Sequence, residues 1–278
     1  LSSDTTGSHY YLELDVYRDT LGVPMTLNQS VDIFMLDTSG NYNFISSQNL
    51  SFGVGGPVSS MSSVYGVEVY HFTDTIDFPS NGYYMIKWTD CCRNGAIVNM
   101  ANPLSESMSF LTYVNVDSAN PNSSPTFLAP PVSYLPANTL WQYNPLPFDP
   151  DGDSLYYSLT TPIAGSGSGT GTFAGAGAYP YYAPVIWNVG GGYNLANIVG
   201  GSTAMSINPS TGDITASPTI IAYFTFAVRV EEYRNGVKMG EIRRDIQYAG
   251  FNCVGGTPPT FLNSSPVDGD TIEVEYNK

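Results

Sequence analysis

The chain has 278 residues and a mass of 30.0 kDa, enough for one large or two ordinary domains with a core that needs no staple. Hydrophobic residues make up 42% and aromatics 13%, with 21 Tyr and 13 Phe, which excludes intrinsic disorder for the chain as a whole. Lys plus Arg number 9 against 24 Asp plus Glu, a formal net charge of -15, so the basic footprint that nucleic acid or an anionic membrane surface requires is missing. No apolar run reaches the length of a membrane span, so no membrane insertion is expected, and the start, Leu1-Ser2-Ser3-Asp4, is polar rather than signal-like.

Alternation with a period of two recurs along the chain, broken by Gly, Pro, Asn and Ser clusters, and predicts an all-β fold with one buried face per strand. Leu12, Leu14 and Val16 interleave with Glu13, Asp15 and Tyr17; Val31, Ile33 and Met35 interleave with Asp32 and Phe34. Further strands are predicted over residues 64–72, 83–88, 110–116, 155–159 and 223–231, at the spacing of a β-sandwich. A short helical turn is expected only at 194–199, and 103–109 is ambiguous. The breaker cluster Asn120-Pro121-Asn122-Ser123-Ser124-Pro125 has strand patterns on both sides and predicts a boundary between sandwich domains at 1–125 and 126–253. A second cluster, Gly255-Gly256-Thr257-Pro258-Pro259, makes 254–278 a linker and then a strand, Thr271, Ile272, Val274 and Tyr276, directed at a following domain or a neighbouring subunit.

Inside the second half, residues 164–178 are a Gly/Ser/Ala-rich insertion, read as a surface loop, followed by Tyr179-Pro180-Tyr181-Tyr182. The glycine spacing does not satisfy GxGxxG and no Lys-Ser/Thr follows, which excludes a phosphate loop. Asn235-Gly236 marks a hairpin. A two-residue loop sets Val230 against Glu241 and Arg229 against Ile242; a three-residue loop with Gly236 left-handed pairs Glu232 with Lys238, Arg229 with Glu241, Val228 with Ile242 and Phe224 with Ile246. The second register is expected because it matches charge with charge and apolar with apolar. It puts Arg244 opposite Phe226 on the apolar face, where it needs a carboxylate or the sandwich rim.

Asp149-Pro150-Asp151-Gly152-Asp153 places three carboxylates at alternate positions around a glycine, a pattern that can fold oxygens around a hard cation such as calcium. The twelfth position from Asp149 is Thr160, so the helix–loop–helix ligand set is absent and further ligands must come from elsewhere, with Glu231, Glu232 and Asp245 as candidates. The plain alternative is a solvated acidic turn entering the strand at Leu155. Cys91, Cys92 and Cys253 are too few for a disulfide scaffold and wrongly spaced for zinc; one bridge at most can form within the chain, between the neighbours or to Cys253. His9 and His71 give no basis for a triad, so no catalytic residue is assigned and an enzyme is not expected. Trp88, Trp141 and Trp187 are candidates for stacking on sugars, set against the commoner role of buried sandwich aromatics.

Val16-Tyr17-Arg18-Asp19, Gly82-Tyr83-Tyr84, Cys91-Cys92-Arg93-Asn94-Gly95-Ala96-Ile97-Val98-Asn99 and Ser124-Pro125 resemble, in that order, the N-terminal module of large secreted Bacteroidetes surface proteins, many of which carry gliding-motility-associated C-terminal sorting domains. The likeness continues through Val185-Ile186-Trp187-Asn188, Glu232-Tyr233-Arg234-Asn235-Gly236 and Arg243-Arg244-Asp245-Ile246-Gln247-Tyr248. The second half is also similar to a dystroglycan-type cadherin-like module, in the Asp149–Asp153 turn and in Asn208-Pro209-Ser210-Thr211-Gly212. The resemblance implies a non-catalytic, extracellular tandem of immunoglobulin-like and cadherin-like β-sandwiches, exported by type 9 secretion to the bacterial cell surface. It also implies calcium on Asp149, Asp151 and Asp153.

Relatives often have Cys after the Tyr-Arg-Asp motif where this chain has Thr20, so a bridge from that position to the Cys91-Cys92 pair cannot form. The sorting domain is also absent, which suggests a fragment or a processed form. Proteins of this group carry O-glycans on Asp-Ser/Thr-hydrophobic triplets; close matches centre on Thr5, Thr20, Thr75, Ser118, Ser154 and Thr271. The expected function is that of an adhesin or filament subunit whose partners are other copies of itself or neighbouring surface proteins, joined by addition of the C-terminal strand to an exposed sheet edge. The alternative is a carbohydrate-binding module with the Gly-rich loop and the tyrosines at 179–182 as its platform.

Overall fold

A strand with one apolar face needs a second layer to cover it, and the fold follows from how this chain supplies that layer. The computed structural model describes residues 1–3, 8–20, 22, 24–52, 58–59, 67–129, 131, 134–164, 184–201 and 203–252. The expected features at 165–182 and 271–276, with Thr5 and Cys253, lie outside those residues. The first half contributes β1 (Ser2–Ser3), β2 (His9–Asp19), β3 (Gln29–Leu36), β4 (Tyr42–Phe52), β5 (Val58–Ser59), β6 (Val67–Asp77), β7 (Gly82–Asp90) and β8 (Met108–Val116). The second contributes β9 (Thr126–Phe127), β10 (Tyr134–Ala137), β11 (Trp141–Tyr143), β12 (Pro147–Phe148), β13 (Ser154–Thr160), β14 (Ile163–Ala164), β15 (Thr203–Ile207), β16 (Ile214–Ser217), β17 (Tyr223–Arg234) and β18 (Val237–Asn252). Among the described residues the only helical pieces are single 3-10 turns at Pro103–Ser105 and Val189–Gly191, and no helix is long and apolar enough to cross a membrane. The turn expected at 194–199 is a tight reversal closed between Asn194 and Asn197.

The main sheet runs β1-β2-β6-β4-β3-β7-β8-β18-β17-β13, and it curls. β4 makes the fold: residues from Tyr42 to Leu50 pair with β3, whereas Ser51 and Phe52 pair with β6, so the β2–β6 ribbon turns back over β3, β7 and β8. Tyr10, Leu12, Phe72 and Ile76 thereby meet Ile33, Tyr84, Ile86, Trp88 and Val114 in the first core. Trp88 is satisfied inside it, its Nε1 donating to Gln29 Oε1 at 2.8 Å. In the second core, Phe224, Phe226, Val228 and Val230 of β17 and Ile246 and Tyr248 of β18 pack with Leu135, Trp141, Ile198 and Ile214, where the small β11-β16-β15 sheet provides the facing layer.

The hairpin corrects the expected register. The loop has two residues, Asn235 and Gly236, both at positive φ (52° and 80°), and a bulge at Met239 then shifts the pairing. Glu232 faces Gly240 rather than Lys238, Arg229 faces Arg243 rather than Glu241, Val230 faces Ile242, and Phe226 faces Ile246. Apolar partners still meet; the displacement arises because the extra residue sits inside the strand, not in the turn. Arg244 lies opposite Val228 and finds neither a carboxylate nor bare solvent: its guanidinium sits 3.8 Å over the Phe127 ring and donates to Ala129 O at 3.0 Å.

Main-chain pairing crosses the Asn120–Pro125 cluster. Gly240, Glu241 and Ile242 of β18 pair with Val114, Tyr113 and Thr112 of β8, and β14 pairs with the start of β8. The 91–101 segment reinforces this seam. Cys91 and Cys92 are bonded to each other at its head. Arg93, buried, reaches Asp245 through Nη1 (3.1 Å) and Nη2 (2.5 Å), and also donates to Ile163 O and Ser107 O. Asn99, fully buried, exchanges bonds with the Thr225 main chain and donates to Ile198 O. Truncating one partner of a buried pair strands the other charge. Arg93→Ala should therefore lose about 3–5 kcal/mol of unfolding free energy in urea titrations, and an apolar double replacement, Arg93→Met with Asp245→Leu, should recover much of the loss. A loss below about 1 kcal/mol in the single variant would show the pair to be dispensable.

Candidate functional site

The second seam feature is built from four carboxyl groups. Asp149 follows the short β12 and opens a turn in which its Oδ1 accepts from the backbone N–H groups of Asp151 and Asp153, both at 2.9 Å, with Gly152 at φ 79°. This Asx-type geometry is what an aspartate before Gly supports. It leaves Asp149 Oδ2 buried with no hydrogen-bond partner. Asp151 Oδ2 accepts from Ser123 N at 2.5 Å, tying the turn to the linker. Asp153 is held by both oxygens, at 2.8 and 2.9 Å, on the fork of Arg234. The same guanidinium donates to Pro121 O and to Asn122 Oδ1.

Glu232 completes the cluster from β17. Its side chain is 0% exposed, Oε1 accepts from Asn122 Nδ2 at 2.7 Å, and Oε2 has no partner. Gly240 makes room for it: a Cβ there would fall 2.0 Å from Glu232 Oε1 and 2.6 Å from Tyr113 O. Burial above all pushes the Glu232 carboxyl up to about 8; the Asn122 donation opposes this, and the neighbouring Asp149 and Asp153 add to it. Only Asp151 and Asp153 reach the Arg234 guanidinium, and the two inward oxygens, Asp149 Oδ2 and Glu232 Oε2, want a proton or a cation between their neighbouring carboxyls.

The sequence-predicted residues are distributed unevenly over this site. Asp149, Asp151 and Asp153 have oxygens within 4.8 Å of one another, but both oxygens of Asp153 are engaged by Arg234. Of the candidate extra ligands, Glu232 lies against Asp149 but is not among the three whose oxygens come within 4.8 Å of one another. Glu231 and Asp245 stand apart, being paired with Lys238 and Arg93 respectively. Oxygen-only donors, two of them unsatisfied, fit a hard cation. Asn122, Glu232 and Arg234 form the part not assigned from sequence as one unit. The legible signal was parity, since Glu232 continues the inward series Phe224, Phe226, Val228, Val230.

Other expected residues lie elsewhere. Glu13, Asp15 and His71 form a separate acid–imidazole group on the outward side of the β2–β6 ribbon, with His71 Nδ1 2.5 Å from Asp15 Oδ1. Thr20, Thr75, Ser118 and Ser154 are exposed. Trp88 and Trp141 are buried and Trp187 is half-buried, so none is an open stacking platform. No protein-family model matches the chain, and neither does any curated protein.

The raised Glu232 carboxyl has a definite sign in stability. Between 4.5, its ordinary value, and about 8, the folded protein keeps a proton that the unfolded chain has released. The associated stability is complete below about 4.5 and is lost as pH rises through 8. Without divalent cation, the melting temperature should fall from about pH 5 to about pH 8.5 more steeply in the parent than in Glu232→Gln, with the variant the more stable at the alkaline end. Parallel curves for the two proteins would contradict this assignment.

Proposed function

We propose that the chain is a non-catalytic structural protein of the bacterial cell surface, an adhesin or filament subunit. It is built as an immunoglobulin-like sandwich at 1–125 and a cadherin-like sandwich at 126–253. The observation that carries this reading is the buried carboxyl pair of Asp149 and Glu232, whose inward oxygens receive no donor from the surrounding residues, at the point where linker, acidic turn and hairpin converge. Such an arrangement suits a joint fixed by a cation rather than a cleft that turns over substrate. Calcium is the proposed ion, held by Asp149 and Glu232 with Asp151, and its role is to take the place of the proton that Glu232 otherwise keeps. Arg234 and Asp153 orient the linker beside it.

Assembly proceeds in this reading by strand addition. The tail strand Thr271, Ile272, Val274 and Tyr276 of one copy adds to an outer strand of the next; β2 and β13 are the outer long strands of the described sheet. Type 9 export and O-glycans at Thr20, Thr75, Ser118 and Ser154 belong to the same proposal. Two measurements test it. Calcium should raise the melting temperature of the parent and leave Asp149→Asn with Glu232→Gln unmoved. Negative-stain images of the native protein should show filaments that are lost on deletion of residues 255–278. Filaments from the deleted protein would defeat strand addition, and an absent calcium shift would defeat the joint.

A further inference from the structure

The face of the central sheet opposite Glu232 carries a separate constellation. Tyr113 of β8 is paired with Met85 of β7 on one side and Glu241 of β18 on the other, so these side chains project away from both main cores. Tyr42 from β4 and Tyr83 from β7 join them, and with Lys238 and Met239 they line a groove of about 450 Å3. That volume lies in the range of small-molecule sites, about 300–1,000 Å3. The Tyr42 and Tyr113 rings stand 5.6 Å apart at 60°, and Tyr83 is 41% exposed.

The polar wall is fixed before any ligand arrives. Lys238 Nζ donates to Glu231 Oε1 at 2.6 Å and to Glu241 Oε2 at 2.8 Å, while Glu241 Oε1 accepts from Arg243 Nε at 2.7 Å. Arg229 lies 3.3 Å from the remaining Glu231 oxygen. Each carboxylate oxygen therefore has a cationic partner, and the ammonium is compensated twice. An anionic ligand meets an ammonium already neutralised on a chain of net charge -15, and a cationic ligand meets no unpaired carboxylate. What remains attractive is a neutral molecule with an apolar face for the rings and hydroxyls for the charged wall, which is the chemistry of a pyranose.

We propose that this groove binds a neutral saccharide, stacking a pyranose ring against Tyr83 and Tyr113 and hydrogen-bonding its hydroxyls to Lys238 and the Tyr42 hydroxyl. The site depends neither on calcium nor on assembly, and its residues are distinct in sequence from the tyrosines at 179–182. The test is to apply the full chain to a printed array of neutral mono- to tetrasaccharides, with acidic glycans alongside, and to titrate the bound sugar by calorimetry. Neutral sugars should bind. Tyr83→Ala should weaken binding about tenfold at unchanged melting temperature, Tyr83→Phe should stay within about threefold, and Lys238→Met should weaken binding with some loss of melting temperature, because Glu231 and Glu241 each lose a partner. Tyr181→Ala should have no effect. The proposal is overturned if no neutral saccharide binds, if only acidic glycans bind, or if Tyr181→Ala abolishes binding that Tyr83→Ala preserves.

Discussion

One additional residue in β18 governs how the two halves meet. Met239 opposes no partner of its own, and the slip it introduces brings Gly240 under Glu232 and Ile242 opposite Val230. Continued from the two-residue loop without it, the register would set Val230 against Glu241, Phe226 against Asp245 and Phe224 against Gln247, placing acids and an amide in the second core. The bulge restores an apolar layer. It also frees Glu241 for the opposite face, where Lys238 and Arg243 take it, and leaves Asp245 beside Thr225 for Arg93.

The same slip makes the seam electrostatically tense. Glu232 occupies a core-facing position that a Val or Ile would fill at lower cost, because an isolated buried carboxylate is expensive. It is tolerated beside Asn122, which supplies one donor, and over a glycine that supplies space. Asp149 approaches from the turn with its outer oxygen already committed to two backbone N–H groups. Arg234 cannot relieve the inward pair, for both edges of its fork are spent on Asp153, Pro121 and Asn122.

Much of this was open to a reading of side-chain parity, and the rest was not. Strands β2, β7, β8, β13 and β17 follow alternation or aromatic density directly. β4 escaped because Asn43, Ser46, Ser47, Gln48 and Asn49 give no apolar face; it is a strand because β3 and β6 both need a partner, which is a tertiary cause. Faces on the hairpin were legible, yet its register was not, since a bulge leaves parity intact when it combines with a two-residue turn. Arg93 and Asp245 stand 152 positions apart, and nothing local to either names the other. At the acidic turn, the Asp-x-Asp-Gly-Asp spacing announced carboxylates in one place but not that Arg234 would claim Asp153, because that pairing depends on β13 lying beside β17.

The ladder joining β8 to β18 spans only Gly240 to Ile242, so side-chain contacts carry much of the seam. Clamps flank it on both sides. Beyond Ile242, Arg93 and Asp245 are paired and their remaining donors satisfied by carbonyls, so that side is complete as built. Beside Gly240, the Asp149–Glu232 pair lacks a donor, so that side is complete only when a proton or a cation is added. One clamp is thus permanent and the other depends on its occupant. Chemistry at Glu232 therefore acts on the seam first, since neither main core shares a residue with the cluster.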